Sequence, residues 1–147
     1  MGYQYKFEKI LNIKEREQNE AVIRYNQAIA RFEEAAKKLY DLLKQKEELE
    51  ALQEEKLLTG LSVIEMRQNQ LFIGNLMKII EHQQQIVMNT RNQMNFFQEK
   101  VKESTIEVKK YEKIKEKDFE NYLSLENFEE NKQMDEISLQ QFMSKGN

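Results

Sequence analysis

The 147-residue chain has no proline, no cysteine, no tryptophan and only four glycines. Two of the glycines, Gly2 and Gly146, stand at the ends, which leaves Gly60 and Gly74 inside. Each absence excludes something. Without proline and with so few glycines there is little turn chemistry, and a β-rich or α/β fold needs many tight turns. Without cysteine there is no disulfide, thiolate nucleophile or thiolate metal site, which fits a reducing compartment. His82 is the only histidine, so a two-histidine zinc motif cannot be built. Ile79 stands three residues before it, where a di-iron bundle would carry Glu. No apolar run exceeds three residues, so a membrane span and direct membrane insertion are not expected. The start, Met1 to Lys6, lacks the apolar stretch of a secretory signal. Lys6 also stands where a myristoylation motif wants Ser or Thr. The net charge of −3 leaves no basic stripe for nucleic acid.

What is present points one way. Acidic residues are 23 Glu to 3 Asp and basic ones 18 Lys to 5 Arg, in each case favouring the helix former over the residue that competes with it. Val22, Tyr25, Ile29, Phe32, Ala36, Leu39 and Leu43 follow alternating three- and four-residue steps, the spacing of a coiled-coil seam. This predicts a first helix over about 5–58. Gly60 then suits the left-handed position after a helix end. Ser62-Val63-Ile64-Glu65 reads as a capping box, with Leu61 and Met66 spaced as a hydrophobic staple. A turn over 59–62 and a second helix over about 63–117 or beyond follow. Its ladder runs Ile73, Leu76, Ile80, Gln83, Val87, Thr90, Met94, Phe97, Val101, Ser104, Val108, Tyr111 and Lys115, where the polar members weaken the seam and help fix its register.

The fold class expected is all-α: one elongated domain, a long antiparallel two-helix coiled-coil hairpin with a C-terminal helical tail. A tight turn sets residue i opposite roughly residue 121 − i. Residues 118–147 then overhang. They carry net charge −5, against +2 for the rest, together with apolar residues from Phe119 to Met143. Such a segment reads as a helix that docks on a partner or frays without one.

No catalytic constellation is recognisable, and a two-helix hairpin lacks the concave volume a substrate pocket needs, so an enzyme is not expected. Neither a cofactor nor a metal is implied. What is left over is apolar: Phe72, Ile79 and Ile86 form a second column beside the seam. It reads either as flank packing or as a docking strip for another protein. Gly74 reads either as close approach of a partner backbone or as a tolerated mid-helix glycine. The Lys109–Lys117 run, interleaved with Glu107, Glu112 and Glu116, reads as a solvated face with helical ion pairs or as an electrostatic docking surface.

The opening Tyr5-Lys6-Phe7-Glu8-Lys9-Ile10-Leu11-Asn12-Ile13-Lys14-Glu15 resembles the start of the flagellar export FliJ family. So do Gly60-Leu61-Ser62-Val63-Ile64-Glu65-Met66-Arg67 with Leu71-Phe72-Ile73 and Leu76, and Lys132-Gln133-Met134-Asp135-Glu136-Ile137 with Phe142. The resemblance covers the whole chain. It implies a cytoplasmic, non-enzymatic stalk of the flagellar type III export apparatus, peripheral to the cell membrane at the flagellar base. The implied partners are the hexameric export ATPase FliI, the cytoplasmic domain of the export gate FlhA, and export chaperones. The gate contact carried over from the family falls on Phe72, Leu76, Ile79 and Gln83. For the ATPase, the open end of the hairpin is the candidate: Phe7, Leu11 and Lys14 with Lys115, Phe119 and Tyr122. The alternative is a structural coiled-coil scaffold or tether with no ATPase partner.

Overall fold

In a computed structural model that describes residues 2–145, the chain forms two helices, α1 (Glu8–Thr59) and α2 (Val63–Lys145), with no strand among the described residues. The last two residues of the acidic tail lie outside this range. Gly60 ends α1 with a φ of 105°, a conformation that a β-carbon would strain. The Ser62 hydroxyl accepts the Glu65 amide at 3.2 Å, and Leu61 and Met66 are both half-buried beside that cap, as a staple requires. The two helices therefore reverse direction in three residues and pack antiparallel as a helical hairpin.

Contacts group the described residues into two units. One is Glu20–Lys102; the other combines the residues up to Asn19 with those from Glu103 onward.

In the 20–102 unit, the α2 ladder from Ile73 to Val101 is buried or half-buried at every position read from the sequence. The α1 seam differs. It runs through Ala21, Tyr25, Ala28, Phe32, Ala35, Leu39, Leu42, Lys46, Leu49 and Gln53, an unbroken four-three alternation. Tyr25, Phe32 and Leu39 are shared with the expected seam. Val22 and Leu43 are instead exposed, while Ala28 is only 1% exposed. The physical reason is size. Alanines at heptad spacing let the helix backbones approach closely, the larger Val22 and Ile29 are left at the flank, and the register so set selects Leu42 over Leu43. Gln83 donates its side-chain amide to the Ala35 carbonyl at 3.0 Å, a buried bond that one helical register alone can make. The Arg91 guanidinium lies 5.6 Å from the Phe32 ring centre.

A β-carbon added at Gly74 would meet nothing within 4 Å, so nothing in this chain needs the glycine. Gly74→Ala is expected to stabilise the protein by about 1 kcal/mol, the helix-propensity difference, measured as an upward shift of the denaturation midpoint.

In the other unit, the core is Tyr5, Leu11 and Val108, with Tyr3, Phe7, Tyr111 and Ile114 packed against it. Gln18 donates to the Thr105 hydroxyl at 3.1 Å, two residues from the partner the turn arithmetic gives. The ladder positions Ser104, Val108, Tyr111 and Lys115 are again buried or half-buried. Helix α1 starts at Glu8 rather than near Tyr5: residues 6–7 form a turn in which the Glu8 amide donates to the Tyr5 carbonyl at 3.2 Å, while the Tyr3 and Tyr5 phenols reach across to α2. Helix α2 continues through the whole tail to Lys145, and from Leu123 onward every described side chain is exposed.

Candidate functional sites

At the open end, the N-terminal segment lies along α2 as an aromatic clasp. The Tyr5 phenol donates to the Tyr111 carbonyl at 3.0 Å, and the Tyr3 phenol donates to Asp118 Oδ2 at 2.9 Å. Tyr3 meets the Phe119 ring edge-on at 5.0 Å and lies 5.3 Å from the Tyr122 ring. Phe7 meets Tyr5 and Tyr111 edge-on at 5.9 and 6.4 Å. Lys115 pairs with Glu8 at 3.0 Å and carries its ammonium 5.9 Å from the Tyr5 ring centre. These aromatic contacts add to area burial, each worth about 1 kcal/mol.

The structure thus brings together Phe7, Leu11, Lys115, Phe119 and Tyr122 of the expected ATPase set. Lys14 stands apart from the aromatic cluster, half-buried and paired with Glu17 at 3.5 Å. Leu11 is buried core and Phe119 is open to solvent. The sequence reading missed Tyr3, Tyr5 and Tyr111 as members of this end. The signal was there in the alternation Tyr3-x-Tyr5-x-Phe7, a period-two pattern of an extended segment rather than a helix.

Partial burial, together with the bond to Asp118, pushes the Tyr3 phenol up from its ordinary 10.0 to about 12. Tyr5 is also raised, first by burial and then by the nearby Asp118 and Glu8 charges. A raised phenol stabilises the fold wherever it stays protonated. The contribution is complete below pH 10 and is lost as the pH climbs through about 12. Spectrophotometric titration should show late-ionising phenols with Tyr3 among them, and Asp118→Asn should move the Tyr3 ionisation toward the ordinary value.

On the 20–102 unit, the four expected gate residues divide. Phe72 and Ile79 are each 52% exposed, whereas Leu76 is 5% and Gln83 4% exposed. Leu76 and Gln83 therefore belong to the seam, and Gln83 spends its amide on Ala35. Ile86, the third member of the column, is half-buried. Leu71, which the sequence reading did not single out, is exposed next to Phe72, as are Leu58 and Ile64 near the turn.

Among the described residues, no group of three or more His, Asp or Glu is placed to hold a metal ion, and no helix is long and apolar enough to cross a membrane.

The fold and these two clusters define a helical-hairpin coiled coil that carries outward-facing apolar residues. Residues 3–147 match the family described as "Flagellar FliJ protein". The chain is also 45% identical over 146 residues, 99% of each chain, to the Flagellar FliJ protein of Bacillus subtilis (strain 168). The chain belongs to the FliJ family and is a component of flagellar protein export. No solved structure matches it.

Proposed function

We propose that this protein is the non-enzymatic stalk that couples the hexameric export ATPase FliI to the export gate FlhA, and that it assists export chaperone cycling at the cytoplasmic face of the membrane. The observation that carries this reading is the clasp. A stalk end that transmits force must not splay. Here the N-terminal segment, α1 and α2 are fastened by two phenol bonds, an ion pair and edge-on rings. That end still presents Phe119, Lys113 and Lys117 to a partner. A mixed polar and aromatic surface suits a ring pore, where binding is spread over many weak contacts.

The gate contact in this reading is made by Phe72 and Ile79. Leu76 and Gln83 support the strip from beneath by fixing α2 on α1.

The test is steady-state ATP hydrolysis by the purified export ATPase, titrated with this protein. Stimulation is expected, and its loss on removing residues 118–147 or the first dozen residues would place the action at the clasped end. A flat titration would refute the coupling and favour a passive scaffold.

A further inference from the structure

The tail from Leu123 to Lys145 is a fully exposed helix, and it contains a repeat. Leu123-Ser124-Leu125-Glu126-Asn127-Phe128 recurs fourteen residues later as Ile137-Ser138-Leu139-Gln140-Gln141-Phe142. Fourteen residues are two heptads, about 21 Å of helix, so the two copies fall on nearly the same face. Joining them at three-four spacing gives one ladder: Leu125, Phe128, Lys132, Asp135, Leu139 and Phe142. All six side chains are exposed. Its ends are apolar, and its middle holds one cation and one anion. Lys132 is the only basic residue between Asp118 and Ser144, and it stands on this ladder.

We propose that this face pairs with the same face of a second copy of this chain, antiparallel, so that two hairpins are joined tail to tail. The pattern is complementary to its own reverse. Leu125 meets Phe142 of the second copy, Phe128 meets Leu139, and Lys132 meets Asp135, each pair occurring twice about the two-fold axis. At each apolar level a large ring faces a smaller leucine. A parallel pair would instead set Lys132 on Lys132 and Asp135 on Asp135, which charge repulsion disfavours. The other apolar set on this helix, Phe119, Leu123, Met134 and Ile137, has only Glu126 and Glu130 between its halves and no cation to answer them. Pairing also gives a lone helix the packing that isolated helices in water lack. Glu129 and Glu136 flank the ladder, and residues 118–147 carry net −5 in each copy, so the association is weak and concentration-dependent.

Sedimentation equilibrium of the full chain over a wide concentration range, at physiological salt where the Debye length is about 8 Å, tests it. A monomer–dimer equilibrium is expected. Lys132→Asp alone and Asp135→Lys alone each replace two attractive pairs by two repulsive ones, and should each weaken the dimer roughly tenfold or more. The double exchange should restore it. Circular dichroism of each variant separates lost pairing from lost helicity, since the double exchange carries both substitutions. A chain that stays monomeric throughout, single variants that dimerise as well as the parent, or a double exchange that fails to rescue would each overturn the proposal. The first of these would leave the face to a different protein.

Discussion

Ala28→Leu is expected to destabilise the hairpin by about 2 kcal/mol, within the range for overpacking a close-packed site. Ala28 is 1% exposed and stands between Tyr25 and Phe32 on the α1 seam. Three added heavy atoms have no room where the backbones approach closely, so the helices must separate or α1 must rotate. Rotation is resisted, because it would carry the Ala35 carbonyl away from the Gln83 amide and leave a buried amide unpaired. Thermal unfolding followed by circular dichroism reads the loss, at about 2–4 °C per kcal/mol for a chain of this size. Val22→Leu is the control. Val22 is exposed, and its enlargement should change stability by no more than about 0.5 kcal/mol. If Val22→Leu were the damaging change and Ala28→Leu the harmless one, the seam would run through Val22, Ile29 and Leu43 instead.

That contrast also shows what could be read from the sequence and what could not. The α2 ladder was legible because its seam residues are mostly large and apolar, so position and hydrophobicity agree. On α1 they disagree or fail to decide: Val22 and Ile29 look like core by hydrophobicity, yet Ala21 and Ala28 occupy the seam by geometry, and the pairs Ala35-Ala36 and Leu42-Leu43 are identical in type. Two adjacent columns of similar hydrophobicity differ by one residue, and periodicity alone cannot choose between them. The turn was legible to within one residue, Thr59 belonging to α1, because its signals are local: a glycine that can adopt positive φ, then a hydroxyl cap three residues before its Glu. The clasp was not, because it depends on contacts between positions more than a hundred residues apart. Tyr3 finds Asp118 and Tyr5 finds Tyr111 only once the hairpin has closed. The expected gate set was legible as a stretch of helix but not as a face. Family resemblance places Phe72, Leu76, Ile79 and Gln83 within three turns of one helix, but burial divides them into outward and inward pairs.

The division supports a second large effect, which separates docking from folding. Phe72→Ala with Ile79→Ala should leave helicity unchanged and cost about 1 kcal/mol or less in stability, since both side chains are half in water. The same double variant should weaken binding to the cytoplasmic domain of the gate by roughly tenfold or more, the effect of losing an apolar anchor. Leu76→Ala should do the reverse. It removes a side chain that is 5% exposed, so about 2 kcal/mol of stability is lost, at the low end for leucine truncation because a two-helix layer can partly close around the gap. Gate binding by the folded fraction should fall much less. Denaturation midpoints and a binding titration on the parent and these two variants make the comparison. If Leu76→Ala weakened binding as much as the double variant while the fold stayed intact, the gate would have to open the seam to bind. The half-buried strip would then be a lever on the hairpin, with the buried Gln83–Ala35 bond resisting its opening.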